Sequence, residues 1–543
     1  MTHTLRSKTL ILAAVLFVTL RPCAAQSNPL NGSDTERITV SGTVVDAVTK
    51  QPIRGALVEL AGFAALTGDK GNFAFQGVPL MSVYVRAQKP GYFDRQQVPG
   101  VVRQPPLIKV APGLQPVTVE LIPEGIVFGQ ITSTDGEPLE NIPITLTAFG
   151  VQDGRKTRTH QSNVRTDDEG RFRIADLVPG NYYLCAGPSG NVALIGAAAT
   201  GRPAQGYSFL YYPSGQDRAI ASPIEITPGK HFEVHLSLAR QPFYQISGTV
   251  DGLNAGDSLT YQIQGAFGTN NGAFGLNQKT GIFRTNYMPS GAYKIKLTAR
   301  DVRNPPSPVD LTQRTAHADV NLSGNTTLTV TLAPVKTIAI NFRLDFTTQQ
   351  NNPQFVPAWP TLYSTDPFAG SNVIQPFNSP RLEGTQKLAL RDLDPGRYQL
   401  EFRSNGPNFY VASATFGHVD LLRDDLVIGS DLDSDTIEVY VREDGGTLKA
   451  VVSQSGDKSR ISVIVVSEEY PRNVQLSLTS QEGAAYFFGL APGVYKVFAL
   501  DNADGLEYRA PRALDNFLLR ASEVNVPAKH EASVTIPVLH REN

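Results

Sequence analysis

From Ile38 onward the chain is written in short runs where apolar and polar residues alternate, broken again and again by Gly, Pro, Asn and Asp. A period of two sends successive side chains to opposite faces of an extended strand, so the pattern predicts half-buried strands joined by turns. No long stretch repeats apolar residues at the 3.6 spacing of an amphipathic helix. Composition agrees, with 47 Gly and 38 Pro against 3 Met.

A Pro-Gly-X-aromatic element recurs: DLVPGNYYL around Pro179, YMPSGAYKIKL around Pro289, DLDPGRYQLEF around Pro395, GLAPGVYKVFA around Pro492, and a degenerate GVPLMSVYV around Pro79. The prolines lie 100, 110, 106 and 97 residues apart, close to the length of one domain. Proline fixes φ and glycine tolerates unusual φ, so each element predicts a tight turn that launches a strand. Tyr182, Tyr293, Tyr398 and Tyr495 then head apolar columns, and each is expected in its own core with its hydroxyl on a backbone partner.

Upstream of each turn lies a second hairpin element: TGDKGNFAF, TDDEGRFRI, QKTGIFRT and SQEGAAYFF. Further upstream come opening strands such as ITVSGTVVD, FGQITSTDGEPL and YQISGTVDG, whose internal glycines predict bulges or close backbone approach. The order SGTVVDAVTKQPIRGALVEL, TGDKGNFAFQGVP, VRAQKPGYF resembles the carboxypeptidase regulatory-like domain, and the second repeat resembles it through ITSTDGEPLENIPITLTA and RTDDEGRFRIADLVPGNYYL. That resemblance implies a transthyretin-like sandwich of about seven strands, similar also to starch-binding and collagen-adhesin B-type repeats. Residues 205 to 250 and the closing stretch from Asp501 are similar to segments of large secreted bacterial proteins built from such domains.

The expected fold is therefore all-β, a tandem array of about five transthyretin-like or Ig-like sandwiches after a signal peptide. Its expected limits are signal peptide 1–25, linker 26–36, and sandwiches 37–122, 123–240 with an extended tail, 241–334, 335–442 and 443–540. The fourth is divergent: it has no clear opening strand, and its turn RLEGTQKLAL is weak.

Arg6 and Lys8, an apolar run from Leu10 to Leu20 and small residues up to Ala25 have the layout of a secretory signal, with cleavage expected after Ala25. The run is shorter than the roughly 20 residues a spanning helix needs, so no membrane span is expected after cleavage. Loss of Arg6, Lys8 and Arg21 leaves a net charge of about −5. Basic residues are scattered, and the densest run, Arg155-Lys156-Thr157-Arg158, reads as a solvated hairpin tip, so no nucleic-acid partner is expected. Of the two cysteines only Cys185 outlasts cleavage, which leaves stability to the cores.

The family name raises the question of peptidase chemistry, and the residues answer against it. The regulatory-like domain is an appendage of metallocarboxypeptidases, and their His-x-x-Glu zinc pattern has no counterpart among the eight histidines. His231-Phe-Glu-Val-His235 lies in a strand pattern, which puts the two rings about 13 Å apart and on the outer face. Asp167 to Glu169 read as a hairpin turn beside Gly170. Asp431-Leu-Asp-Ser-Asp435 lacks the glycine and the twelfth-position acid of a helix-loop-helix calcium site. No cofactor is expected.

Aromatic residues remain, because sugar rings stack on exposed flat side chains. Tyr207, Phe209 and Tyr211 form a period-two stripe that reads as core. Phe355, Trp359 and Tyr363, in NNPQFVPAWPTLYSTDPFAG, are the candidate stacking residues. Three readings of function stand open: an exported, non-catalytic array at the cell envelope binding a glycan or an envelope protein, a structural spacer or scaffold, and a hydrolase with an unrecognised site. Fold alone chooses none of them.

Overall fold

The computed structural model describes residues 37–94, 97, 107–188, 204–254, 256–266, 268–273, 277, 280–301, 313–335, 337–345, 356, 358–365, 373–374, 376–378, 388–391, 393, 396–429, 436–453 and 461–540. The expected signal segment 1–25, Phe355 and the 431–435 acidic run lie outside these. Among the described residues helix is confined to Gln97 and Arg218–Ile220, both 3₁₀, and one α-helical turn, Asp515–Leu518.

One arrangement occurs five times. An opening strand lies at the centre of a sheet, antiparallel to the strand after the hairpin turn and parallel to the strand that closes the repeat. In the first sandwich Arg37–Asp46 lies between Asn72–Pro79 and Val117–Pro123. In the second, Gly125–Ser133 lies between Arg171–Leu177 and His231–Leu238. In the third, Ile246–Asp251 lies between Ile282–Arg284 and Thr326–Thr331. In the fifth, Gly446–Val452 lies between Ala484–Leu490 and Glu531–Ile536.

The fourth sandwich follows the same order, with Thr337–Leu344 between Leu388–Arg391 and Ile437–Arg442. Its opening strand, TIAINFRL, buries Ile338, Ile340 and Phe342 with a period of two. It carries no internal glycine, and that is why it does not resemble the other openings. Glycine is needed there only where the closing strand and a core ring approach closely. A Cβ on Gly248 would come within 2.0 Å of the Leu328 carbonyl oxygen and 2.8 Å of the Phe283 ring.

A second sheet covers each of these, centred on the strand that follows the Pro turn: Ser82–Gln88, Gly180–Ala186, Gly291–Asp301, Gly396–Ser404 or Gly493–Leu500. The inner faces supply one large apolar cluster per sandwich, typified by Val58 and Leu121, Ile144 and Leu184, Phe283 and Leu297, Leu362 and Val439, and Leu448 and Val497. The tail of the second sandwich forms a small sheet of its own, where Arg240–Tyr244 pairs with Ala204–Tyr207 on one side and Met288–Pro289 of the third sandwich on the other.

Two local devices repeat. All four column tyrosines are buried, and the hydroxyls of Tyr182, Tyr293 and Tyr495 donate to the carbonyl four residues back, Val178 at 2.7 Å, Pro289 at 2.8 Å and Ala491 at 2.8 Å. A buried threonine four residues before the turn glycine bridges the opening loop. Thr67 Oγ1 donates to the Ile53 carbonyl and accepts from the Ala56 amide, and Thr166 does the same with Leu139 and Ile142. Thr479 accepts from the Ile461 amide.

Six residues past the turn glycine the strand bulges. Gly77, Asp176 and Gly489 stand there with φ of 72°, 55° and 61°, and the register to the opening strand shifts at each. A bulge adds a residue and re-aims the side chains beside it.

Candidate functional site

The longest-range polar contacts converge on the hairpin of Pro143–Gln152 and Arg155–Arg165 in the second sandwich. Gln152 faces Arg155, so the loop is the two residues Asp153 and Gly154, with φ of 50° and 70°. Two consecutive positive φ values in a two-residue loop match the twist of the flanking strands, and Asp-Gly is among the dipeptides that adopt them most readily.

That tip sits against the fourth and fifth sandwiches. The Arg155 guanidinium carbon lies 4.2 Å from the ring centroid of Tyr363, and its terminal nitrogens donate to Gln399 and Glu401. From the fifth sandwich Tyr508 donates to Asp153 Oδ1 at 2.7 Å. Arg509 donates through Nε to the Asp153 carbonyl at 2.9 Å and through Nη1 to Glu401 Oε1 at 2.9 Å. The Arg509 amide donates to the Gly154 carbonyl at 3.1 Å. Any Cβ on Gly154 would fall within 2.5 Å of the Tyr508 ring.

Electrostatics account for the closure. Arg155 and Arg509 are largely buried, with side chains 16% and 13% exposed, and they share Glu401, while Asp153 supplies the second negative charge. Glu401 stands between the two guanidinium groups and offsets part of the cost of removing them from water, while Asp153, 59% exposed, keeps much of its hydration. Burial by itself opposes the Arg509 charge, yet Glu401 and Asp153 hold its pKa above the ordinary value. Burial raises the Tyr508 pKa, and its bond to Asp153 raises it further. Burial, then Glu401 and Asp153, raise that of Tyr363.

Sequence reasoning placed Arg155-Lys156-Thr157-Arg158 at a solvated tip. Lys156 and Arg158 are exposed there, but Arg155 is packed into the junction. The strand pattern fixed which residues sit at the tip; what covers the tip arrives from 244 residues away and leaves no local trace. Asp153, Glu401, Tyr508 and Arg509 were missed for the same reason, although the Asp-Gly pair marks the turn itself.

Of the candidate stacking residues, Trp359 and Tyr363 lie two turns of the pleat apart on Ala358–Ser364, both on its outer face. Trp359, 36% exposed, stands opposite Arg403, whereas one face of the Tyr363 ring is covered by Arg155. Tyr207, Phe209 and Tyr211 are buried, Tyr207 on Ala204–Tyr207, Tyr211 on Leu210–Tyr211 and Phe209 in the link between the two strands. His231 and His235 point outward from their strand, and His235 faces Glu233 at 3.1 Å. Asp167 caps its own turn, accepting the amides of Glu169 and Arg171. Among the described residues no group of three or more His, Cys, Asp or Glu is arranged to hold a metal ion, and no helix is long and apolar enough to cross a membrane.

Residues 39–115 match the family model of the carboxypeptidase regulatory-like domain. The regulatory-like match thus lies within the first sandwich and stops short of every junction residue. No curated protein sequence matches the chain. Similar solved structures include a streptococcal ancillary pilin, 11% identical, covering 55% of this chain and 100% of that one with a TM-score of 0.18. The major pilin subunit of Bacillus cereus is 11% identical over 76% of this chain and 99% of its own, with a TM-score of 0.14. Two B repeat units of the collagen-binding protein of Staphylococcus aureus are 10% identical over 75% and 100%, with a TM-score of 0.12.

Proposed function

We propose that this is a non-catalytic binding protein of the cell envelope, exported by residues 1–25, whose partner is a glycan or an envelope protein. In this reading the units are 37–122, 123–240, 241–334, 335–442 and 443–540, and they form one folded-back body. The observation that carries the reading is the convergence of Arg155, Glu401 and Arg509 from the second, fourth and fifth sandwiches. A spacer gains reach by running end to end. A chain whose second unit is bonded to its fourth and fifth gives up that reach and holds its outer faces in fixed relation, as a binding surface requires.

Small-angle X-ray scattering on residues 26–543 tests the reading. A compact particle that lengthens on Arg509→Ala supports it, and a rod of five units end to end favours the spacer. A parallel assay with C-terminal peptide substrates and added zinc is expected to show no turnover. Turnover abolished by His231→Ala or His235→Ala would instead establish a hydrolase.

A further inference from the structure

Counted from the hairpin-turn glycines Gly71, Gly170, Gly281 and Gly483, the third and fifth residues of the following segment face outward. The third is Ala74, Arg173 or Arg284 in the first three sandwiches, and the fifth is Gln76, Ala175 or Asn286. In the fifth sandwich these places are Tyr486 and Phe488, which are 41% and 53% exposed. Their rings are near-parallel, 11° apart, with centroids separated by 6.2 Å. The core does not ask for them, because Ala485 and Phe487 between them already fill the buried positions. Bulging at Gly489, directly after Phe488, sets the end of this exposed strip.

The register places polar groups beside the rings. Tyr486 is paired with Lys449, and Lys449 with Ser533, across one sheet face. Lys449 Nζ stands 5.8 Å from the Tyr486 centroid. No described carboxylate lies within ion-pair distance of that ammonium, so its donors remain for a ligand.

We propose that Tyr486 and Phe488 form a saccharide-stacking platform, with Lys449 and Ser533 as flanking hydrogen-bond groups. A pyranose ring has an apolar C–H face and a rim of hydroxyls, and this strip pairs two exposed aromatic rings with the Lys449 ammonium, which stands over the Tyr486 ring, and with the Ser533 hydroxyl on the next strand. A protein partner would be served by an apolar surround, since interface aromatics sit in desolvated centres; here the outward residues Thr447, Glu531, Ser533 and Thr535 are polar, and half-buried Val451 is the apolar side chain among them. This inference deepens the binding reading by naming a ligand class. It does not depend on the folded-back shape, so its failure would leave the scattering result standing.

The test is isothermal titration of residues 26–543 with cellohexaose, chitohexaose and maltohexaose. Saturable binding of at least one is expected, weakened about tenfold or more by Tyr486→Ala or Phe488→Ala, by analogy with loss of a base-stacking ring. Tyr486→Phe should retain it. Tyr486→Arg installs the residue that two sister sandwiches carry at this place, so it preserves the fold while removing the ring, and it too should weaken binding about tenfold or more. No binding of any of the three, or binding that survives both alanine variants, overturns the proposal.

Discussion

The Arg155 guanidinium lies 4.2 Å from the centroid of the Tyr363 ring, although the two residues belong to different sandwiches. Cation–π contact of this kind strengthens when water is excluded, and here Arg155 also reaches Glu401, which Arg509 of a third sandwich shares.

Loss of one member should therefore open the junction without unfolding any unit. Arg509→Ala leaves Glu401 and Asp153 short of a partner, and the docking is expected to weaken by about 2 kcal/mol, roughly thirtyfold in the closed-to-open ratio. Gly154→Ala should do the same by steric means, since its Cβ meets the Tyr508 ring at a positive φ. Limited proteolysis of the hairpin tip and of the 503–514 stretch measures the opening. Cleavage rates unchanged from the parent chain would remove the junction from the account.

Tyr495 anchors its own sandwich through the Ala491 carbonyl. Tyr495→Phe is expected to cost about 1 kcal/mol for the lost bond, and Tyr495→Ala about 3–5 kcal/mol for the cavity. Both losses should appear in the fifth unit alone, resolved by residue-level hydrogen exchange. An equal loss of protection in all five units would contradict the separate cores.

Cys185 is packed against Phe209 and Tyr211, and burial pushes its thiol up to about 12. At pH 8 it should react with a thiol reagent at least about a hundredfold more slowly in the native chain than in denaturant. Equal rates would place it at the surface.

Alkaline stability follows from the buried tyrosines. Burial raises Tyr182 to about 12, partly offset by its carbonyl bond, and burial followed by Asp444 raises Tyr410 to about 12. Each folded pKa lies above the unfolded value near 10, so the folded state holds the proton more tightly. That stabilisation is complete below about pH 10 and disappears as pH rises through about 12. Urea midpoints should fall across this window, and Tyr182→Phe should flatten the fall.

Much of this fold was legible because each device is local. Period-two alternation gave the strands, and the Pro turns spaced them at domain length with Tyr182, Tyr293, Tyr398 and Tyr495 in the cores. The repeated threonines Thr67, Thr166 and Thr479 were equally visible four residues before their turn glycines, but only the structure shows why they recur, each tying a loop from within. Thr337–Leu344 escaped because its strand lacks the glycine that marked its sisters. The junction was illegible in principle: Asp153 and Gly154 announce a turn, yet nothing near them names Tyr508 or Arg509. Tyr486 and Phe488 could have been found by aligning the repeats on their turn glycines, where they replace Ala, Arg, Gln and Asn.

The folded-back closure is tested most directly by a pulsed electron–electron distance measurement between spin labels at Arg158→Cys and Asn516→Cys in residues 26–543. Both positions are exposed, one beside the hairpin tip and one in the short helix of the fifth unit, and the buried Cys185 should stay unlabelled. A single short, narrow distance is predicted, broadening and lengthening when Arg509→Ala is added. A broad, long distribution in the parent chain, unchanged by that substitution, would contradict the closure.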